Sequence, residues 1–104
     1  METTPKVRLD ILIEQLAASR LEEILTALDG VSGYTVLPVQ GGSGLDGLWT
    51  RDGQVGHMSG MVMVWCIIDR QQKDAVLEAV FSFVDRFAGI VTVSDIEVVR
   101  GERF

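Results

Sequence analysis

The sequence is poor in the residues that carry thiol, disulfide and metal chemistry. It holds one cysteine, Cys66, and one histidine, His57, among 104 residues. A lone cysteine cannot form an internal disulfide, which favours a reducing compartment. Because no ligand spacing links Cys66 to His57, we expect no metal site and no cysteine–histidine nucleophile pair.

Long apolar runs and an excess of positive charge are also missing. No apolar run approaches the ~20 residues of a membrane span, and the polar start METTPKVRLD has no signal-peptide core. The formal net charge is −6 at pH 7, whereas nucleic-acid binding needs clustered Lys and Arg. The sequence therefore predicts a cytoplasmic protein without a nucleic-acid partner.

What is present fits one small globular domain over residues 1–104. The composition, 47% hydrophobic and 23% charged, is ordinary for this class. The mean hydropathy of +0.27 is high for a small chain. Since small monomers rarely expose large apolar patches, this value favours self-association, although an unevenly apolar core would give the same value.

Hydrophobic periodicity predicts four strands and two helices in the order β-α-β-β-α-β. The predicted strands cover 7–13, 33–40, 61–68 and 90–99, and the predicted helices cover 20–29 and 70–86. This order indicates a ferredoxin-like α+β sandwich, in which an antiparallel sheet carries both helices on one face. Because the strands are largely apolar on both sides, we expect the other face to meet another subunit.

Local signals place the ends of these elements. Ser19 is the expected N-cap of the first helix, Gly30 its stop, and Asp69 the N-cap of the second helix. Pro38 places the second strand at an edge or near a strand end. The nearly continuous apolar run of the third strand predicts a central position in the sheet.

Residues 41–60 form a long segment rich in glycine, which opens GGSGLDG. A segment this long in a compact domain is usually functional. It fits neither a P-loop nor a dinucleotide fingerprint, since no helix follows it. Its backbone N–H groups can instead meet an anion, and Arg100 and Arg103 in the tail suit a phosphate group. A flexible surface excursion and a frayed terminus are the alternatives.

Three stretches together resemble the PII signal-transduction proteins: GYTVLPVQGGSG, GIVTVSDIEVV and the terminal RGERF. Those proteins share the predicted element order. They carry a mobile T-loop after the second strand, here about 41–60, a B-loop before the fourth strand and a C-loop after it. The resemblance spans roughly 7–103. It implies a homotrimer that binds adenine nucleotides between subunits and regulates through its T-loop, without catalysis.

The resemblance also implies a set of nucleotide-binding residues. By position these are Thr35, Gly41, Gly42, Ser43, Gly89, Arg100 and Arg103. Thr35 would lie at the base, the triple 41–43 at the T-loop root and Gly89 in the B-loop. The two arginines would approach the phosphates. Trp65, on the third strand, aligns near the base.

Departures from the family pattern point to a subgroup. In DRFAGIV, Ala88 stands where the family has an acidic residue and Ile90 where it has a phosphate-binding lysine. The T-loop has no tyrosine, and Leu45 and Asp46 stand in place of the glutamine linked to 2-oxoglutarate. The chain thus resembles PII-like proteins of inorganic-carbon metabolism. That implies ADP or AMP as ligands, possible bicarbonate binding, and T-loop control of a membrane transporter or carboxysome-linked metabolism.

Two alternatives share the architecture. A CutA-like trimer linked to divalent metals would use His57, although the shortage of His and Cys fits it poorly. VQGGSG also echoes the phosphate loop of acylphosphatases, which would make the protein an enzyme. That loop follows the first strand and works with an asparagine, whereas this sequence has no asparagine.

Overall fold

The computed structural model describes residues 1–44, 47–50 and 60–103, without the side chains of 47–50 and 103. The strands are β1 (Thr4–Glu14), β2 (Thr35–Val39), β3 (Gly41–Gly44), β4 (Gly47–Thr50), β5 (Met61–Ile68) and β6 (Ile90–Val98). The helices are α1 (Gln15–Ala27) and α2 (Lys73–Val84), with short 3-10 turns at Arg70–Gln72 and Gly101–Arg103.

The main sheet has four strands in the order β2-β5-β1-β6, and all three neighbouring pairs are antiparallel. This confirms the predicted ferredoxin-like α+β fold. As predicted, β2 with Pro38 lies at one edge and β5 lies inside the sheet. None of the helices in the described part of the chain is long and apolar enough to cross a membrane.

The core lies between one face of this sheet and the two helices. Alternate residues of β1 and β5 point into it, as a period of two requires. The fully buried members include Val7, Leu9, Ile11 and Ile13 of β1, Val64, Cys66 and Ile68 of β5, Leu21 and Leu25 of α1, and Val76, Val80 and Val84 of α2. Both helices therefore cover the same face.

The other face of the main sheet, called here the open face, is mixed in character. The register places Arg8 and Asp10 of β1 opposite Ser94 and Thr92 of β6 in its centre. Apolar side chains lie toward its ends, where Leu37 is 46% and Ile90 is 58% exposed. The open face is therefore less uniformly apolar than the sequence suggested, because β1 and β6 bring polar side chains to its centre.

The predicted start of the first helix was wrong by five residues, because the helix begins at Gln15 and not at residue 20. Ser19 lies inside α1 and caps nothing. The N–H of Gln15 instead donates to the carbonyl of Gly60 at 2.8 Å. A tertiary hydrogen bond thus satisfies one free donor of the first turn, so that no side-chain cap is needed there. The helix also ends at Ala27, before Gly30.

Two further expectations need correction. Asp69 precedes the turn Arg70–Gln72, but its side chain makes no capping hydrogen bond; its carboxylate instead pairs with the ammonium group of Lys6, whose side chain is 7% exposed. The start of the segment 41–60 is not a simple loop, because β3 and β4 form an antiparallel hairpin. The rest of the T-loop expectation, at 45–46 and 51–59, lies outside the described residues.

Candidate functional site

A first cleft opens beside the start of β2. β2 pairs only with Met61–Trp65 of β5. The last residues of β5 therefore extend beyond the start of β2. The chain that leads into β2 borders this gap and forms a cleft of about 250 Å³, lined by Ser32, Gly33, Tyr34, Thr35, Trp65, Cys66 and Ile67. We call it the edge cleft. Two residues that the sequence placed near a base, Thr35 and Trp65, are direct cross-strand partners in it.

Neighbouring contacts fix the walls of the edge cleft. The hydroxyl of Tyr34 donates to Oε1 of Glu22 on α1 at 3.1 Å, which ties the approach to β2 onto the helix. Cys66 is 1% exposed. Burial, together with the negative charge of Asp10, raises the pKa of its thiol to about 11. At neutral pH Cys66 is therefore a protonated, apolar wall residue and not a nucleophile.

A second cleft lies at the end of β6. It measures about 540 Å³ and is lined by Glu2, Thr3, Thr4, Val99, Arg100, Gly101 and Glu102. We call it the tail cleft. Arg100 brings a guanidinium group, which is suited to a phosphate or a carboxylate. Glu2 and Glu102 bring negative charge to the same cleft, so that its charge is mixed.

The backbone around Arg100 is unusual. Arg100 has a φ of 68°, the one positive value among the described non-glycine residues. This left-handed conformation is uncommon for a residue with a side chain, and such residues cluster at ligand sites. The next residue is held tightly, since a Cβ on Gly101 would lie 2.5 Å from both Cβ and Oγ1 of Thr4. The start of β1 therefore fixes the position of the backbone that carries Arg100.

Two loops meet at the junction between β1 and α1. The N–H of Ala88 donates to Oε1 of Glu14 at 3.4 Å, next to the bond between Gln15 and Gly60 described above. Gly89 adjoins the same junction, where a Cβ would lie 2.7 Å from Cγ1 of Val84 and 3.1 Å from the carbonyl oxygen of Leu12. Close packing thus gives Gly89 a structural reason to be glycine, independent of any phosphate.

The remaining predicted residues lie elsewhere. Gly41, Gly42 and Ser43 belong to β3, where they are exposed and face Thr50, Trp49 and Leu48 across the hairpin. Arg103 ends the turn after Gly101, and its side chain is outside the described part. His57 lies outside it as well. Within the ranges 1–44, 47–50 and 60–103, no group of three or more His, Cys, Asp or Glu is placed to hold a metal ion.

One protomer does not bring all of these residues together. The edge cleft lies beside β2 and the tail cleft beyond the end of β6, and these strands form opposite edges of the sheet. Thr35 lies in the same cross-strand row as Thr92, whereas Arg100 follows the end of β6 at Val98. At ~3.3 Å per residue, that offset is roughly 25 Å along the strands. Thr35 and Arg100 can meet around one small ligand only across two copies of the chain.

Sequence reasoning missed two residues near the edge cleft. Arg8 and Asp10 lie on the open face, where the guanidinium of Arg8 donates three hydrogen bonds of 2.9–3.1 Å to the Asp10 carboxylate. It also lies 4.5 Å from the ring centroid of Trp65. Opposite charges two positions apart in a strand point to the same face. The stretch RLD therefore held a signal for this pair.

A split β-α-β sheet with a glycine hairpin after its second main strand and an arginine turn after its last agrees with the fold that the resemblance to PII proteins implied. The sequence profile of the nitrogen regulatory protein P-II family matches residues 6–103. The chain belongs to this family, whose proteins are regulatory. No curated protein sequence gives a significant match.

Solved structures agree with this assignment. CPII, a nitrogen regulatory PII-like protein from Thiomonas intermedia K12 bound to ADP, AMP and bicarbonate, is 24% identical with a TM-score of 0.82, over 99% of this chain and 96% of that one. CPII bound to ADP and bicarbonate is 25% identical with a TM-score of 0.80, over 99% and 97%. A putative PII-like signalling protein from Thermus thermophilus is 27% identical with a TM-score of 0.75, over 100% and 99%.

Proposed function

We propose that this protein is a sensor that binds ADP or AMP in clefts between the subunits of a homotrimer. The observation that carries the proposal is the division of the site into an edge cleft with Thr35 and a tail cleft with Arg100, at opposite edges of one sheet. The edge cleft offers an aromatic wall for a base. The tail cleft offers a guanidinium group for a phosphate. A neighbouring copy is needed to join them.

The charges of the tail cleft favour nucleotides with few phosphates. Arg100 shares the cleft with Glu2 and Glu102, and each further phosphate of a nucleotide would add negative charge beside these carboxylates. The lysine of the usual B-loop is replaced by Ile90, which is 58% exposed. Both features support AMP and ADP over ATP. CPII was solved with ADP, AMP and bicarbonate, which supports bicarbonate as a further ligand here.

Self-association is supported by the surface. Leu37 and Ile90 on the open face are large apolar side chains that are about half exposed in the single chain. β6 also presents a sheet edge of nine residues, most of them exposed, and an edge of this kind readily pairs with another chain. A trimer would cover such surfaces while it joins the two clefts.

The output of the sensor is the T-loop, which connects β2 to β5, the two strands that border the edge cleft at their other ends. Gly41, at its start, follows β2, and Gly60, at its end, is hydrogen-bonded to the first residue of α1. Nucleotide binding would select among T-loop conformations. We propose that the loop then engages a partner in the cytoplasm, a membrane transporter or a carboxysome-linked component of inorganic-carbon metabolism, and that the protein itself catalyses no reaction.

The test is calorimetric titration of the purified protein with AMP, ADP and ATP, each with and without bicarbonate, beside a measurement of mass in solution. The chain has a mass of 11.4 kDa, so the oligomer should have three times this value. We expect micromolar binding of AMP or ADP, weaker binding of ATP, and a change in affinity when bicarbonate is present. Absence of any adenine-nucleotide binding would contradict the proposed function.

Two matched variants locate the site. Arg100→Lys keeps the charge but loses the planar fork, and it should weaken AMP binding. Arg20→Lys makes the same change on α1, where Arg20 pairs with Glu23 at 3.0 Å on the exposed helical layer, and it should leave binding unchanged. Equal affinities in the two variants would place the phosphate away from the tail cleft.

A further inference from the structure

The open face carries a small stack of charged and aromatic side chains behind the edge cleft. The guanidinium carbon of Arg8 lies 4.5 Å from the ring centroid of Trp65, within the range of a cation–π contact. Nε and Nη2 of Arg8 donate to the carboxylate of Asp10 at 2.9–3.1 Å. The carboxylate therefore holds the guanidinium in place over the indole.

The register of the sheet creates this stack. Asp10 lies directly opposite Trp65, and Arg8 lies directly opposite Ile67, so that Arg8 and Trp65 are diagonal neighbours on one face. Diagonal neighbours are within reach of aromatic and long side chains. Trp65 in turn lies directly opposite Thr35 on β2. One row across the sheet thus connects Asp10, Trp65 and Thr35.

The stack lies behind the wall of the edge cleft. Trp65 and Ile67 line that cleft, whereas Arg8 and Asp10 do not. The side chains of Arg8 and Asp10 are 37% and 23% exposed, so their pair is partly shielded from solvent. An indole that is already held in place loses less conformational entropy when a ligand packs against it.

We propose that Arg8 and Asp10 are positioning residues that hold the indole of Trp65 ready to pack against the planar purine base of a bound nucleotide. This rests on the proposed function, because it assigns the base to the edge cleft. Asp10 acts through Arg8, and Arg8 acts through Trp65. Neither charged residue contacts the ligand itself.

A double-mutant cycle tests this order of action. The affinity for AMP is measured by calorimetry for the unchanged protein, Arg8→Met, Trp65→Leu and the combination. We expect Arg8→Met to weaken AMP binding roughly three- to tenfold, which is the range of a cation–π contact. We expect the double variant to bind no more weakly than Trp65→Leu alone, since the effects of coupled neighbours do not add. Asp10→Asn and Arg8→Lys should each give part of the Arg8→Met effect.

A second measurement needs no ligand. The chain has two tryptophans, so a background with Trp49→Phe leaves Trp65 as the only one. In that background, Arg8→Met should shift the emission of Trp65 and increase its quenching by acrylamide. Arg20→Met, which removes the arginine of an exposed pair on α1, is the matched control and should change neither the emission nor the AMP affinity.

The outcomes separate the possibilities. A role limited to folding would lower the calorimetric stoichiometry of Arg8→Met at an unchanged Kd, and that result would overturn the proposal. Strict additivity of Arg8→Met and Trp65→Leu, or unchanged Trp65 emission, would overturn it as well. If Arg8→Met does not fold, Arg8→Lys and Asp10→Asn complete the cycle with Trp65→Leu. If the unchanged protein binds no adenine nucleotide, the proposed function falls, and this inference with it.

Discussion

The contact between Gly101 and Thr4 gives the sharpest stability prediction. In Gly101→Ala, the new Cβ would lie 2.5 Å from both Cβ and Oγ1 of Thr4 and 3.1 Å from its Cγ2. Real Cβ atoms do not approach so closely, and the Cβ of Thr4 cannot rotate away, so the turn after β6 must move. Overpacking of this kind costs about 1–3 kcal/mol of the free energy of unfolding. For a domain of this size that lowers Tm by roughly 5–20 °C.

Denaturant unfolding at a fixed protein concentration measures this effect, since the proposed association would make stability concentration-dependent. Gly33→Ala is the matched control, because a Cβ there meets nothing within 4 Å. It should leave the free energy of unfolding unchanged or raise it by about 0.4–1 kcal/mol. Adding Thr4→Gly to Gly101→Ala should recover part of the loss. If Gly101→Ala proves as stable as Gly33→Ala, the packing argument for the tail cleft fails.

Three further predictions concern strain, packing and pH. Arg100→Gly relieves a left-handed φ of 68° that costs about 1–3 kcal/mol, so denaturation should show no loss of stability while calorimetry shows at least about tenfold weaker AMP binding. Gly89→Ala brings a Cβ to 2.7 Å from Cγ1 of Val84 and should lower the free energy of unfolding by about 1–3 kcal/mol. When Gly89→Ala is combined with Val84→Ala, the total loss of stability should be smaller than the sum of the losses in the two single variants. Burial raises the pKa of Cys66 from 9.0 to about 11, so the unfolded chain releases this proton first and stability falls between about pH 9 and pH 11, by on the order of 2 kcal/mol. Cys66→Ala should remove that fall, and an unchanged pH profile in this variant would assign it to another group.

The sequence predicted the strands with a strong apolar signal and missed boundaries set by tertiary contacts. The run 61–68 matched β5 residue for residue, since an apolar stretch between Gly60 and Asp69 has clear ends. The start of α1 could not be predicted, because a carbonyl from the distant Gly60 satisfies its first N–H. The hairpin of β3 and β4 was missed because β3 consists of three glycines and a serine, all exposed, and has no hydrophobic alternation.

The candidate site was only partly visible in the sequence. Its residue types were readable, but the pairing of Thr35 with Trp65 depends on a register that only the folded sheet sets. The left-handed backbone of Arg100 could not be predicted from the sequence, because a left-handed position is normally predicted where the sequence has glycine or asparagine. For Gly89 the sequence suggested a ligand-binding role in the B-loop, whereas the fold also gives a packing reason for the absence of a side chain.

The most direct test of the account is whether one functional cleft needs two subunits. Thr35→Trp fills the edge cleft and Arg100→Gly removes the guanidinium of the tail cleft, so each variant alone should bind AMP at least about tenfold more weakly than the unchanged protein. When the two variants are co-expressed, randomly mixed trimers join an intact edge cleft to an intact tail cleft at about a quarter of their interfaces. The account predicts that calorimetry recovers AMP binding at about this stoichiometry. Mixed trimers that bind no AMP, although each single variant is folded and trimeric, would contradict it.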